Sequence, residues 1–280
     1  MKSKQFYLLI GSGIILILII LIYFSTFVWL FERYIAPDTY YAHSFLVPFI
    51  TAFLIWRKRE QLKNIELKYN FWGLILICLA LLIHTLSMVA EVFFISGFSI
   101  LILIFGISLF LFGKRLTRAI LFPLIFLIFM FPLPLQALNY ISSLLQFLVT
   151  KATVFIFVRT IKLPLSKDGF EIFLPHGSLI IENACSGLRS LIVMLALGSI
   201  FAYFLKSSFL KRLFLFLCII PVTLFSNIVR VVLLSLAAYI HGPKIITRWF
   251  FHDFTGYLMF AITFCGMLFL SNLLQCKKSV

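Results

Sequence analysis

Apolar residues fill most of the chain in long runs, and polar residues fall mainly in the short stretches between them. A helix of about 20 apolar residues is long enough to cross the hydrocarbon core of a bilayer. The pattern therefore predicts a single domain over residues 1–280, an all-α polytopic integral membrane protein with about eight transmembrane helices. The predicted spans are 6–31, 44–56, 71–90, 92–112, 119–133, 187–205, 213–240 and 253–274. The first is too long for the apolar core of a cleaved signal peptide and is expected to be retained.

The stretch between the fifth and sixth predicted spans has a different pattern. Residues 138–158 are apolar with polar interruptions, which predicts a helix lying at the membrane interface or re-entering the membrane. Two short β-prone runs follow, 170–174 and 178–181, on either side of Pro175 to Gly177. They predict a small outer β-hairpin that leads directly into Cys185.

Composition and charge agree with a membrane protein. Hydrophobic residues make up 63% of the 280 residues and charged residues 12%, which leaves too little polar surface for a soluble protein. The net charge of +15 does not indicate a nucleic-acid partner, because the basic residues lie in short clusters between apolar runs. With the N-terminus inside, most of the 24 Lys and Arg residues fall on the cytoplasmic side, so both termini are predicted to be cytoplasmic. These clusters are 2–4, 57–68, 114–118, 206–212 and 277–278.

Reactive side chains are concentrated at the start of the sixth predicted span. Glu182 to Arg189 bring together a carboxylate, an amide, a thiol, a hydroxyl and a guanidinium. Positive charge and amide donors at a helix entrance lower the pKa of a thiol, so we expect Cys185 to be a reactive nucleophile. It is the one cysteine expected on the outer face, without a disulfide partner there. The competing interpretation is a small apolar filler, as for Cys78, Cys218, Cys265 and Cys276.

Two other residues are expected at the membrane depth of Cys185. Arg230 lies about 27 Å beyond Arg212 in an outward-running helix, and an arginine within a span usually has a function. His252 comes just before the last span, on the outer side. The three fit acyl transfer: Cys185 attacks a peptide carbonyl, His252 moves protons, and Arg230 stabilises the thiolate or the oxyanion.

Other interpretations remain open for these residues. Arg230 could reach lipid phosphates or pair with Asp253. A non-enzymatic transporter or lipid-binding scaffold would use Arg189 and Arg230 to bind an anionic group. Several histidines compete with His252 for the proton-transfer role, namely His43, His84, His176 and His241.

Supporting roles are predicted for neighbouring residues. Glu182 could orient His252 or pair with Arg189, and Asn227 could hold the Arg230 guanidinium or donate to the oxyanion. Gly187 permits close backbone approach at the helix entrance, and Asn183 completes the supporting set. A different kind of intramembrane protease is disfavoured, because the zinc, serine-elbow and paired-aspartate motifs of metallo-, serine and aspartyl mechanisms are lacking. No metal or cofactor is expected.

The same residues resemble a known family. Asn183 to Arg189, Asn227 to Arg230, and His252 with Gly256 resemble the motifs of the exosortase/archaeosortase family of membrane transpeptidases. Upstream, Asp38 to His43 with Trp56-Arg57 is similar to its N-terminal signature, although Ser44 stands where many members have glycine. Phe131 to Pro134 is similar to its mid-chain proline motif.

The resemblance implies that Cys185, Arg230 and His252 are the catalytic residues of a cysteine-dependent peptidase or transpeptidase. Its substrates would be exported, membrane-anchored proteins with a C-terminal sorting signal of the PEP-CTERM kind. Such a signal has a recognition motif such as Pro-Glu-Pro, a transmembrane helix and a basic tail. Cleavage would occur at the extracytoplasmic face of the cytoplasmic membrane, and the acyl group would pass to an acceptor such as a glycan or lipid.

Overall fold

A computed structural model describes residues 2–37, 39–175, 177–242 and 249–275, without the side chains of residues 2–10, 12, 184 and 249–253. The described chain is mostly helical and forms two compact units, Met1–Leu133 and Pro134–Val280. All eight site residues predicted around Cys185 belong to the second unit.

The described helices confirm a multi-pass membrane protein but not eight spans. Five helices are long and apolar enough to cross a membrane, and a pair bent by 73°, Gly13–Ile22 and Phe24–Ile35, makes a sixth candidate. Three predicted spans form helices that are too short to meet this test, Ala42–Arg57, Leu121–Met130 and Leu188–Phe204. The five long helices are Phe71–Val89, Phe93–Ala119, Leu135–Ile161, Phe209–His241 and Phe254–Leu274.

One candidate span was not among the predicted ones. Residues 138–158, predicted to lie at the interface or to re-enter, belong to the span-length helix Leu135–Ile161. Its polar residues Ser142, Gln146 and Thr150 are buried inside the protein. These polar side chains therefore make contacts inside the protein and do not mark a helix that lies at the membrane surface.

The first unit consists of helices and two 3₁₀ turns. Helices α5 and α6 make its main contact, and a Cβ atom added to Gly73 would overlap the backbone of Phe110. Such close approach through small residues is typical of helix pairs in membranes. The elements are α1 (Lys2–Ile22), α2 (Phe24–Ile35), a 3₁₀ turn (Ala42–Phe45), α3 (Leu46–Arg57), α4 (Arg59–Lys63), α5 (Phe71–Val89), α6 (Phe93–Ala119), α7 (Leu121–Phe126) and a 3₁₀ turn (Leu127–Met130).

A buried polar network lies at the bend between α1 and α2. His84 Nε2 is 3.1 Å from the carbonyl oxygen of Ile22, the last residue of α1, and Nδ1 is 2.8 Å from Ser96 Oγ. Ser96 Oγ is also 2.6 Å from Thr26 Oγ1 on α2. Because a carbonyl oxygen only accepts, Nε2 carries a proton and His84 joins the bend to α5 and α6.

The second unit combines four helices with a small sheet. Helices α9, α10 and α11 pack against one another, and α8 packs against α10. The elements are α8 (Leu135–Ile156), a π-helical turn (Phe157–Ile161), β1 (Ser166–Asp168), β2 (Glu171–Leu174), β3 (Gly177–Ile180), a 3₁₀ turn (Asn183–Cys185), α9 (Leu188–Phe204), α10 (Phe209–His241) and α11 (Trp249–Leu274).

The sheet confirms the predicted hairpin and adds a strand to it. Strands β2 and β3 are antiparallel, with Ile172 opposite Leu179. Strand β1, which was not predicted, pairs antiparallel with the other edge of β2. Its turn begins at Gly169, with φ of 54°. An Asp-Gly step before a β-prone run is a known hairpin signal, so Asp168-Gly169 could have indicated this strand.

The sheet packs on helices α8 and α10 through one buried face. Ile172 and Leu174 of β2 belong to a hydrophobic core with Val149 of α8 and with Val231 and Ala238 of α10. The core places the end of the sheet beside both helices, and the chain leaves the sheet there to form the turn that contains Cys185.

Candidate active site

Cys185 ends a single 3₁₀ turn, Asn183–Cys185, between strand β3 and helix α9. Strand pairing reaches the edge of this turn, because Ile181 N donates to Phe170 O at 3.0 Å. Cys185 N then donates to Glu182 O at 2.9 Å, which closes the turn. The thiol is thus carried by a short hydrogen-bonded segment at the end of a sheet.

Ser186 and Gly187 lead the chain from this turn into α9. Ser186 Oγ donates to Asn183 O at 2.7 Å and accepts from Leu188 N at 3.2 Å. Gly187 has φ of 84° and accepts the first helical hydrogen bond, from Leu191 N, at 2.9 Å. Such a backbone conformation is unstrained only for glycine, which explains the residue type at this position.

Helix α10 holds the turn from one side through Asn227. Its Nδ2 donates to the main-chain oxygen of Cys185 at 3.0 Å, and the residue is 1% exposed. A Cβ atom at Gly187 would lie 2.8 Å from Asn227 Cγ. Glycine at 187 therefore also permits Asn227 to approach.

Helix α8 holds the turn through Asn183. The Asn183 Oδ1 atom accepts from Ser142 Oγ at 3.0 Å and from Gln146 Nε2 at 3.1 Å. Ser142 and Gln146 are buried and lie one turn apart on α8. Neither was predicted from the sequence as a site residue, although two polar residues four apart in an apolar helix share one face and so indicate a common contact.

Arg230 lies on α10 one turn after Asn227 and is 7% exposed. Its Nε donates to Thr255 Oγ1 on α11 at 3.5 Å. None of the ion pairs among the described side chains involves Arg230. Its charge acts on Cys185, where it lowers the pKa of the thiol.

The net pKa shift of Cys185 is opposite to the one expected from the sequence. Burial of the thiol raises its pKa and is the largest effect, Arg230 lowers it, and Glu182 raises it further. The expectation of a lowered pKa was wrong, because residue spacing does not show how completely a side chain is desolvated. The thiol is therefore protonated at neutral pH and needs a base before it can attack.

His252 lies in the first turns of α11, and its side chain is outside the described residues, as is that of Asp253. Thr255, which contacts Arg230, comes three residues later. Residues three apart lie on the same face of a helix. Position 252 therefore lies on the α11 face that contacts Arg230.

Four other histidines were considered for the proton-transfer role. His241 is the exposed last residue of α10, about 16 Å along the helix from Arg230. His84 is bound in the polar network of the first unit, and His43 also belongs to that unit. His176 is outside the described residues.

Glu182 and Arg189 flank the turn, and both are exposed. None of the ion pairs among the described side chains joins them. Within the described part of the chain, no group of three or more His, Cys, Asp or Glu side chains could hold a metal ion. The described side chains around the Cys185 thiol include the Arg230 guanidinium, the carboxamides of Asn183 and Asn227, and the carboxylate of Glu182.

Comparison with known proteins agrees with the motifs. Neither a curated protein nor a solved structure gives a significant match to the chain. A family model described as transmembrane exosortase matches residues 29–269, which include the Cys185 turn, Arg230 and position 252. The resemblance found in the sequence is thereby confirmed, and the chain belongs to the transmembrane exosortase family.

Proposed function

We propose that this protein is a membrane-embedded, cysteine-dependent peptidase or transpeptidase that cleaves the C-terminal sorting signals of exported proteins. Cys185 is the nucleophile, Arg230 stabilises negative charge, and His252 transfers protons. The main support is the electrostatic action of buried Arg230 on Cys185. Family membership supports a membrane transpeptidase-like function.

A buried guanidinium favours negative charge beside it. Arginine remains protonated in a partly dry site, and burying its charge is costly unless an anion forms nearby. Cys185 is a source of such an anion, first as a thiolate and then as the oxyanion of a tetrahedral intermediate. Because Arg230 is fixed on α10, its charge is in place before the reaction begins.

Because the pKa of Cys185 is raised, a base has to remove the thiol proton during the attack. His252 takes the thiol proton as Sγ bonds to the peptide carbonyl carbon, and the carbonyl electron pair moves to oxygen. The intermediate collapses to a thioester, the C–N bond breaks, and His252 gives the proton to the leaving amine. An acceptor hydroxyl or amine, or water, then attacks the thioester carbon and loses a proton to His252. The C–S bond breaks, the acyl group stays on the acceptor, and His252 returns the proton to the Cys185 sulfur.

The transmembrane helix of the proposed sorting signal suits an enzyme with several membrane spans. A sorting signal with a transmembrane helix brings its cleavage motif to the depth of the Cys185 turn when the helix docks among the spans. A basic tail on this helix fixes its cytoplasmic end. The cut is made at the extracytoplasmic face of the cytoplasmic membrane, and the acyl group passes to a glycan or lipid.

Processing of a co-expressed substrate with such a terminus tests this function. The wild-type protein should shorten the substrate, and Cys185→Ala should leave it at full length. Cys265→Ala, which removes an exposed cysteine of α11, is the matched control and should process normally. Unchanged processing by Cys185→Ala would reject the nucleophile assignment.

Thiol labelling separates the enzyme from a transporter or lipid-binding scaffold. A membrane-impermeant maleimide should modify Cys185 from outside the cell, faster as the pH rises, and Cys185→Ala should remove this label. A Cys185 that stays unlabelled at every pH, while the protein binds anionic lipid through Arg189 and Arg230, would favour the scaffold.

A further inference from the structure

The two backbone amides nearest the thiol are already engaged. Cys185 N donates to Glu182 O at 2.9 Å, and Ser186 N donates to Asn183 O at 3.2 Å. Acyl-transfer enzymes often stabilise the oxyanion with backbone N–H groups at the nucleophile. With these two occupied by the turn, donors for an oxyanion have to come from other groups.

Asn183 presents such a donor two residues before Cys185. Its Oδ1 accepts from both Ser142 and Gln146 of α8, which fixes the plane and direction of the carboxamide. An asparagine amide also carries two N–H donors on Nδ2. Because Oδ1 is bound to α8 and Asn183 is an exposed residue, we expect Nδ2 to face the open side of the turn.

Asn227 is not equivalent to Asn183. One of its Nδ2 hydrogens is used by the Cys185 main-chain oxygen, and the residue is almost fully buried. It therefore fixes the backbone of the turn, whereas Asn183 is exposed to an incoming peptide.

We propose that Asn183 Nδ2 donates a hydrogen bond to the oxyanion that forms when Cys185 attacks a substrate carbonyl. This inference rests on the function proposed above and adds a catalytic residue to it. Ser142 and Gln146 are positioning residues, because they act by orienting the Asn183 carboxamide.

The role of Asn183 complements that of Arg230. Arg230 supplies a full charge from a buried position, and Asn183 supplies a neutral, directional donor on the exposed side of the same turn. No proton is transferred, because the N–H bond stays intact while the carbonyl electron pair moves to oxygen. Loss of one such donor typically slows catalysis about 100- to 1,000-fold.

Two probes of Cys185 isolate this contribution in the purified full-length protein. A hydrophobic tripeptide aldehyde adds to the thiol and forms a tetrahedral oxyanion or hydroxyl, whereas iodoacetamide alkylates the same thiol without forming one. Aldehyde affinity is measured as protection of Cys185 from iodoacetamide, quantified at this residue by mass spectrometry.

The informative variant is Glu182→Gln with Asn183→Asp. It keeps the two acceptor contacts to α8, removes the Nδ2 donor, and leaves the net charge beside Cys185 unchanged. We expect aldehyde affinity to fall about 100-fold, the lower end of the range for a lost oxyanion donor, while alkylation stays near the wild-type rate. Glu182→Gln alone, the matched control, should shift Cys185 alkylation to lower pH but should lose much less aldehyde affinity than the double variant.

A positioning variant provides a second measurement. Gln146→Leu preserves the volume of a buried side chain but removes one orienting bond, so aldehyde affinity should fall without a matching loss in alkylation. If the double variant is alkylated at an abnormal rate, the Gln146→Leu variant tests the role of Asn183 by itself.

Different failures have different meanings. If iodoacetamide does not react with wild-type Cys185, the proposed function fails. If alkylation occurs and the aldehyde gives no protection, or protects the wild-type and Asn183 variants equally, only the role of Asn183 is overturned.

Discussion

Asn227 Nδ2 donates to the main-chain oxygen of Cys185 at 3.0 Å, so helix α10 directly holds the residue that carries the thiol. The same helix carries Arg230 one turn later. The distance between the thiol and the guanidinium is therefore set partly by the Asn227 contact, as well as by the sheet that leads into the turn.

Asn227→Ala should slow substrate processing about 10- to 100-fold, since small displacements of a reacting group have effects of this size. The measurement is the rate of substrate shortening. Ser226→Ala is the control, because this neighbouring buried hydroxyl donates to Val222 O of its own helix and, among the described residues, does not contact the Cys185 turn. Equal rates for both variants would show that the Asn227 contact does not position Cys185.

Gly187→Ala should impair the site more than Gly169→Ala. Both glycines have positive φ, at 84° and 54°, but a Cβ atom at 187 would meet Asn227 while one at 169 meets nothing within 4 Å. Backbone strain costs about 1–3 kcal/mol at either position, and the clash adds to it at 187 alone. Thermal unfolding and iodoacetamide reactivity of Cys185 measure the difference, and similar losses in both variants would contradict the close packing at 187.

The pH dependence of Cys185 alkylation should reveal the two charges near the thiol. Because Arg230 lowers the pKa of Cys185 and Glu182 raises it, Arg230→Ala should shift the rate profile to higher pH and Glu182→Gln to lower pH. Arg189→Ala should leave the profile in place, since this nearby cation is not among the causes of the shift. A shift of the wrong sign for either variant would contradict the assigned electrostatics.

Ile172→Ala should destabilise the second unit, by about 2–5 kcal/mol if it behaves as other buried isoleucines do. Ile172 is fully buried beneath the sheet, whereas the adjacent Phe173 is 43% exposed. Phe173→Ala should therefore change stability by about 0.5 kcal/mol or less. Unfolding in detergent compares the two, and the reverse order would mean that the sheet does not pack through this face.

His252→Ala should abolish processing, and His241→Ala should not. Position 252 lies one turn before Thr255, which contacts Arg230, whereas His241 is exposed at the far end of α10. Substrate shortening measures both variants. Full activity of His252→Ala would show that a residue other than His252 transfers the proton.

The local part of the candidate site could be predicted from the sequence because its motifs are short. The segment from Asn183 to Arg189, and Arg230 within an apolar run, both stand out against their surroundings. The hairpin before Cys185 followed from its β-prone runs and turn residues. These features depend on neighbouring residues alone.

The rest depended on tertiary contacts, which a local pattern does not contain. The apolar helices at 44–56, 119–133 and 187–205 lie close to their predicted positions, but they are too short to be candidate spans. Apolar composition alone did not separate a short buried helix from one that crosses the membrane. Ser142 and Gln146 looked like interruptions in an apolar helix, because their partner Asn183 is distant in the sequence. The direction of the Cys185 pKa shift depends on burial, which only the fold reveals.

The 3₁₀ turn of Cys185 is tied to α8 through Asn183 and to α10 through Cys185 itself. A displacement of α8 relative to α10 would therefore move this turn together with the hydrophobic core that the two helices share. A substrate helix bound against either helix, or a bilayer that changes their tilt, is expected to change the position of the sulfur and with it the rate of alkylation.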